Sequence, residues 1–263
     1  MAISLLENAS LLMLIFHSLY CISVSNSICY AIELEADVLC LKTIKSSVRD
    51  PFGHLNSWKF DNTSEYSICP FFGIECWTSG ENRVKSIHLG GMRLQGQFPQ
   101  GIENCRSLTE LDLSGNNFSG PIPPNIGGII PFLTYLDLSV NNFSGEIPPS
   151  LANCMYLNFL ILDNNKLQGQ IPPQLAQLYR LKTLNVSNNL LSGQIPEFFS
   201  LSLSSDDCTG NLGLCGAPLE PCKKHGKKSN FPVKFDVWII SGFAVGYVLS
   251  TVLAFGLCLY THF

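Results

Sequence analysis

Residues 108–123, with the sequence Leu-Thr-Glu-Leu-Asp-Leu-Ser-Gly-Asn-Asn-Phe-Ser-Gly-Pro-Ile-Pro, contain the pattern that decides the fold. The alternation around Leu111 and Leu113 predicts a short strand that turns its leucines inward and the residue between them outward. The same pattern restarts at intervals of 24 or 25 residues. Such a period predicts a solenoid of stacked repeats. The five units begin at Val84, Leu108, Leu133, Leu157 and Leu181.

Two further positions recur in the units. After the strand comes an asparagine, whose inward amide can bond backbone groups that lose their partners as the chain bends. A Gly-x-Ile-Pro turn then supplies a permissive residue and a residue of fixed φ. We therefore predict an α/β solenoid of five leucine-rich repeats over residues 84–204. The recurring asparagines are Asn116, Asn141, Asn165 and Asn189.

A stack of parallel strands exposes its two ends, so capping segments are expected. We assign residues 32–83 to an N-terminal cap that begins with an amphipathic helix, and residues 205–222 to a C-terminal cap. Each cap contains two cysteines close together in the chain. We predict one short-loop disulfide in each cap, formed by Cys69 with Cys76 and by Cys215 with Cys222.

The remaining cysteines of the folded part are expected to stay unpaired. Cys105 and Cys154 share a position two repeats apart, about 9.6 Å at the strand spacing, whereas a disulfide needs α-carbons within about 7 Å. We expect both to be buried thiols, Cys40 to be a core residue of the cap helix, and Cys208 to lie near the C-terminal pair. No histidine completes a zinc site beside either cap pair. The sequence predicts no metal and no cofactor.

Both ends of the chain are apolar. Residues 1–31 resemble a secretory signal peptide. Residues 237–260 are 24 uncharged residues, about 36 Å as a helix against a hydrocarbon core of about 30 Å. We predict one transmembrane helix there, after a stalk at 223–236 and before a tail at 261–263, with a removable lipid-anchor signal as the alternative. This arrangement predicts a single-pass type I protein of the plasma membrane with extracellular repeats.

Composition excludes other classes of protein. At 263 residues the chain has no room for a second catalytic domain of ordinary size beside the solenoid. The net charge is −4, and no basic run is interleaved with aromatic residues. We therefore expect no binding to nucleic acid.

The outward positions of neighbouring strands align in rows on the concave face. By this alignment Tyr135, Phe159 and Ile161 are neighbours, bordered by Asp137 and Asp163. An exposed apolar and aromatic patch is a candidate partner-binding site. Ordinary scatter of surface residues is the alternative.

Four asparagines begin glycosylation sequons. A sequon suits a secreted solenoid, and a glycan on the concave face would restrict where a protein partner binds. The predicted sites are Asn62, Asn117, Asn142 and Asn185, of which the last lies on the concave face.

The caps and repeats together resemble the ectodomain of plant leucine-rich repeat receptor-like kinases. The resemblance rests on Trp58, the pair Cys69 and Cys76, the Gly-x-Ile-Pro turns and the segment 213–216, Gly-Leu-Cys-Gly. Segments 75–84 and 96–105 resemble, more narrowly, the BIR family of receptor-like pseudokinases, which associate with SERK-type co-receptors. The resemblance implies plant-type repeats and extends over nearly the whole mature chain.

The family also has a cytoplasmic kinase-like domain, and none of its motifs follows residue 260. We therefore expect no catalytic residues and no enzyme activity. The resemblance implies a membrane-anchored binding module that modulates SERK-type co-receptor complexes in immune or growth signalling. Its partner would be the ectodomain of a SERK-type or other receptor kinase. A truncated fragment of a receptor-like (pseudo)kinase and a cell-wall enzyme inhibitor are the alternatives.

Overall fold

In the computed structural model, which describes residues 36–60, 68–78, 81–198 and 203–222, the repeats stack into a solenoid with two sheets. The predicted leucine-rich repeat architecture is confirmed. The described strands are β1 Ile74–Thr78, β2 Glu81–His88, β3 Gln95–Gly96, β4 Glu110–Asp112, β5 Asn117–Pro121, β6 Tyr135–Asp137, β7 Asn142–Glu146, β8 Phe159–Ile161, β9 Lys166–Gly169, β10 Thr183–Asn185, β11 Leu190–Gln194 and β12 Gly213–Cys215.

Several predicted features lie outside the described residues: the signal peptide at 1–31, the sequon at Asn62, the stalk at 223–236, the transmembrane helix at 237–260 and the tail at 261–263. Among the helices that the structure describes, none is long and apolar enough to cross a membrane.

The first sheet lines the concave face. Strands β2, β4, β6, β8 and β10 run parallel in that order, and β1 from the N-terminal cap pairs antiparallel with β2. The middle leucine of each three-residue strand is buried, as at Leu111, Leu136 and Leu160, because the pleat turns alternate side chains into the core. The residues on either side of it therefore form the outward rows.

The second sheet runs along the other side of the same repeats, in the order β12, β11, β9, β7, β5, β3, and it too is parallel. Its inward residues include Phe118 and Phe143, whose rings stack with centroids 6.1 Å apart. Both phenylalanines are fully buried. The core thus lies between the two sheets and the short helices that connect them.

Short helices form the convex side. The described connections of the first, third and fourth units each contain a single 3₁₀ turn, whereas the unit that starts at Leu108 has an α-helical turn. That unit is 25 residues long rather than 24, and its extra residue is accommodated by an α-helical turn. The helices are α1 at 36–47 and α2 Ile126–Ile129, and the 3₁₀ turns are His54–Ser57, Ile102–Asn104, Pro149–Asn153 and Pro173–Gln177.

The recurring asparagines form a buried ladder that joins successive repeats. Asn141 is typical: its Oδ1 accepts from the N–H of Phe118 at 3.0 Å, and its Nδ2 donates to the carbonyl of Leu113 in the same preceding repeat at 2.8 Å. Asn211 in the C-terminal cap repeats this pattern, with Oδ1 accepting from the N–H of Leu191 at 3.0 Å. The cap therefore continues the ladder beyond the fifth repeat.

The caps cover the two ends of the core. At the front, Trp58 is fully buried, and its Nε1 donates to the carbonyl of Phe72 at 2.9 Å. At the back, β12 extends the second sheet. The structure contains the predicted cap disulfides, Cys69–Cys76 with α-carbons 5.6 Å apart and Cys215–Cys222 with α-carbons 4.8 Å apart.

The expectation that Cys40 and Cys105 are unpaired thiols is wrong. They form a third disulfide, with α-carbons 5.5 Å apart, which joins helix α1 to the turn that follows β3. Helix α1 packs closely on this turn, since a Cβ added at Gly101 would lie 2.4 Å from Cβ of Thr43. This packing brings together cysteines that are 65 residues apart in the chain.

Cys154 and Cys208 are buried free thiols, and we expect both to be inert in the folded protein. Burial raises the pKa of Cys154 to about 12; burial and the charge of Asp207 raise the pKa of Cys208 to about 11. Because the thiolate is the reactive form, Ellman's reagent at pH 8 should react with neither thiol in native protein of segment 32–228, and with two thiols per chain after unfolding in guanidinium. Fast native labelling, or a count above two, would contradict this assignment.

Candidate partner-binding surface

The predicted concave patch is formed by two adjacent strands, β6 and β8. Tyr135 pairs in register with Phe159, and Asp137 with Ile161, so the parallel stacking places all four side chains in a square. The rings of Tyr135 and Phe159 have centroids 5.9 Å apart at an interplanar angle of 51°. Phe159 is 36% exposed, while Tyr135 and Ile161 are half-buried.

Asp137 supports this patch from within and is itself buried. Its Oδ2 accepts from the Tyr135 hydroxyl at 3.1 Å, and its Oδ1 accepts from the N–H of Ser139 at 2.9 Å. Burial, together with the negative charge of Asp137, raises the pKa of Tyr135. Asp137 therefore keeps the Tyr135 hydroxyl neutral and orients the ring.

Three further carboxylates lie on the concave floor. Asp163 lies two residues after Ile161, just past the end of β8, and its Oδ2 accepts from Nδ2 of Asn164 at 2.6 Å. Glu110 and Asp112 on β4 add two more carboxylates, and Nε2 of His88 lies 3.8 Å from Oε2 of Glu110. Among the described residues no group of three or more His, Cys, Asp or Glu side chains is placed to hold a metal ion.

A second exposed aromatic surface, which the sequence analysis missed, lies beside the concave face. We call it the lateral edge. It is formed by side chains that lie three or four residues before strands of the first sheet, together with Trp77 of the cap. Its aromatic side chains are strongly exposed: Trp77 is 44% exposed, Phe132 51%, Tyr156 45% and Tyr179 67%. Aromatic side chains exposed at such density are characteristic of protein interfaces.

Arginines are interleaved with these aromatic rings. The guanidinium of Arg180 lies 5.4 Å from the ring centroid of Tyr156 and 5.8 Å from that of Tyr179. The guanidinium of Arg83 lies 5.5 Å from the ring of Trp77. Stacking on the rings restricts the arginine side chains, so less entropy is lost when they bind a partner.

A groove of about 320 Å³ separates Trp77 from the pair Phe132 and Tyr156, whose ring centroids are 6.2 Å apart. The indole Nε1 of Trp77 donates to the carbonyl of Ser107 at 3.1 Å, which fixes this wall of the groove across the first repeat. Thr109 and Thr134 line the groove, and Arg106 contributes a cation.

The signal for the lateral edge is present in the sequence. The residues directly before the leucines that start the third, fourth and fifth units are Phe132, Tyr156 and Arg180. These positions show no regular apolar periodicity, and their direction depends on the convex turns that precede them. Only a repeat-by-repeat alignment of large residues outside the core would have found them.

The described sequons lie mainly on the second sheet. Asn117 begins β5 and is exposed, and Asn142 begins β7 and is half-buried. Asn185 lies on β10 of the concave sheet, where its Oδ1 accepts from the N–H of Ser187 at 3.0 Å. Glycans at the first two asparagines would leave the lateral edge and the concave patch uncovered.

Comparison with known proteins assigns the repeats to a family. The Leucine rich repeat N-terminal domain matches residues 34–77, and the Leucine Rich Repeat matches residues 107–129, 132–154, 156–178 and 180–202. A crystal structure of the BIR2 ectodomain from Arabidopsis thaliana is 50% identical with a TM-score of 0.69, covering 71% of this chain and 98% of that one. The chain belongs to the leucine-rich repeat receptor kinase family.

Its resemblance to the BIR members of this family extends over most of the sequence. The inactive LRR receptor-like serine/threonine-protein kinase BIR2 of Arabidopsis thaliana is 55% identical over 229 residues, which are 87% of this chain and 37% of that protein. A probable inactive receptor kinase of the same plant is 56% identical over 204 residues, 78% of this chain and 34% of that protein. The chain thus spans about a third of the length of these relatives.

One matching structure contains a partner. The crystal structure of the BIR3–SERK2 complex from Arabidopsis thaliana includes a chain that is 48% identical to this one with a TM-score of 0.69. The match covers 71% of this chain and 98% of the other. The repeat fold is therefore shared with a chain of the crystallised BIR3–SERK2 complex.

Proposed function

We propose that this chain is an extracellular binding module that attaches to the ectodomain of a SERK-type co-receptor kinase and so modulates co-receptor complexes in plant cell-surface signalling. The single observation that carries the proposal is the match to a chain of the crystallised BIR3–SERK2 complex. Two exposed aromatic surfaces, the concave patch and the lateral edge, support it. Binding by surface complementarity requires no catalytic group, in agreement with relatives that are named inactive kinases.

The proposed interface combines the concave patch and the lateral edge. Tyr135 and Phe159 contribute one aromatic pair, and Phe132 and Tyr156, at the ends of the second and third repeats, contribute another. Aromatic residues and arginine are the side chains most often found as binding hot spots. Anchoring by residues 237–260 would keep this surface at the plasma membrane, where co-receptor ectodomains are displayed.

The concave patch has a direct test. Segment 32–228 is titrated into the SERK2 ectodomain in a calorimeter; the likeness to the crystallised BIR2 ectodomain, which covers 71% of this chain, supports using such a segment on its own. We expect binding in the micromolar range or tighter, weakened about tenfold in the double variant Tyr135→Ala and Phe159→Ala, because the aromatic pair is lost.

Leu190→Ala is the matched control, since Leu190 is 64% exposed but lies on the second sheet. Circular dichroism verifies that each variant is folded. Absence of binding by the folded parent would refute the proposed function. Equal affinity of the double variant and the parent for SERK2 would show that the concave patch is not part of the interface.

A longer receptor is compatible with the same binding role. Sequencing the transcript beyond Phe263 distinguishes an anchored module from the ectodomain of a receptor with a kinase-like domain.

A further inference from the structure

The groove on the lateral edge has an uncompensated positive charge. Arg83 and Arg106 both line it, and the Arg83 guanidinium is stacked over Trp77, 5.5 Å from the ring centroid. Neither Arg106 nor the nearby Arg180 forms an ion pair within the described part of the chain. Among the residues that the structure describes, no aspartate or glutamate lines the groove. The carboxylates of this region lie instead on the concave floor, at Glu110 and Asp112. A ligand that brings a negative charge would complete the groove.

The aromatic side chains that line the groove favour a ligand with an apolar group next to its negative charge. Trp77 and Tyr156 are each nearly half exposed, and they line the same groove as Phe132. A volume of about 320 Å³ is at the lower limit of small-ligand pockets. It has the size for one or two side chains, and the hydroxyls of Thr109 and Thr134 provide polar contacts between the walls.

We propose that this groove binds an acidic segment of the protein partner, with a carboxylate on Arg106 and a neighbouring apolar side chain between Trp77 and Tyr156. The inference deepens the proposed function and rests on it for the identity of the partner. A protein segment is favoured over an acidic sugar because the aromatic and arginine row continues past the groove to Tyr179 and Arg180. That length suits an extended surface better than a single small ligand.

The positive charge of the groove predicts how the affinity of the complex responds to salt and to removal of that charge. A carboxylate held by a guanidinium forms a charge-assisted hydrogen bond, which salt and loss of the cation both weaken. We expect Arg106→Gln to weaken binding to the SERK2 ectodomain about tenfold and to reduce its salt dependence. Arg93→Gln is the matched control, because the Arg93 guanidinium also lies over an aromatic ring, 5.3 Å from that of Phe52, but outside the groove.

A second experiment needs no partner protein. Segment 32–228 contains two tryptophans, of which Trp58 is fully buried and Trp77 is 44% exposed, so ligand-induced fluorescence changes report the groove. The probes are the peptides acetyl-Gly-Asp-Phe-Gly-amide and acetyl-Gly-Asn-Phe-Gly-amide. We expect millimolar binding, about fivefold tighter for the aspartate peptide, with the difference lost in Arg106→Gln and kept in Arg93→Gln.

The outcomes separate this inference from the proposed function. If the aspartate peptide binds selectively but SERK2 does not bind, the preference of the groove for an acidic segment is supported and the proposed partner is refuted. If SERK2 binds but both peptides bind equally, or neither gives a signal up to about 10 mM, the inference is overturned. Tighter binding of digalacturonic acid than of the aspartate peptide would assign the groove to an acidic sugar and also overturn it.

Discussion

Replacing Cys40 and Cys105 together by alanine is expected to lower the free energy of unfolding of segment 32–228 by about 4 kcal/mol. The disulfide closes a loop across a sequence separation of 65 residues, and removing it restores chain entropy to the unfolded state. It also releases helix α1, whose buried residues Leu41 and Ile44 cover the front of the core. The measurement is urea unfolding followed by circular dichroism.

The double variant Cys69→Ala and Cys76→Ala is the control. Its disulfide spans a separation of only 7 residues, so the same reasoning predicts a smaller loss, about 2 kcal/mol. A loss for the Cys40 and Cys105 variant that is no greater than the loss for the control would contradict the role assigned to the long-range disulfide.

Replacing Phe132 and Tyr156 together by alanine is expected to weaken binding to the SERK2 ectodomain about 100-fold, equivalent to about 3 kcal/mol. These side chains are 51% and 45% exposed, so they offer a partner more apolar area than Phe159, at 36%, and the half-buried Tyr135. The variant also deprives Arg180 of one stacking partner. The effect should therefore exceed that of the concave double variant.

The measurement is the same calorimetric titration, and Leu212→Ala is the matched control, because Leu212 is fully exposed in the C-terminal cap. Since Phe132 and Tyr156 are about half exposed, the melting temperature should change little. A change in affinity of less than about threefold, in a variant that melts like the parent, would exclude the lateral edge from the interface.

The repeat architecture is predictable from sequence because each unit imposes the same local geometry. Once Leu111 and Leu113 define an inward face, parallel stacking fixes the outward rows, and the register of Tyr135 with Phe159 follows. The asparagine ladder follows for the same reason. The repeat spacing does not predict that Asn211 joins the ladder, because it comes 22 residues after Asn189 rather than 24 or 25.

Features that depend on packing between unlike elements are not predictable in this way. The Cys40–Cys105 disulfide depends on how helix α1 docks on the first convex turn, which no periodicity encodes. The groove likewise arises where Trp77 of the cap meets Phe132 and Tyr156 of the repeats. Surfaces that form at such junctions are identified only from the three-dimensional structure.

Hydrogen–deuterium exchange of segment 32–228, free and bound to the SERK2 ectodomain, tests the central claim most directly. The account predicts that binding slows exchange in residues 130–137 and 154–161, which contain Phe132 and Tyr156 of the lateral edge together with Tyr135 and Phe159 of the concave patch. Protection confined to β5 and β7 on the second sheet, or no protection at a saturating concentration of partner, would contradict it.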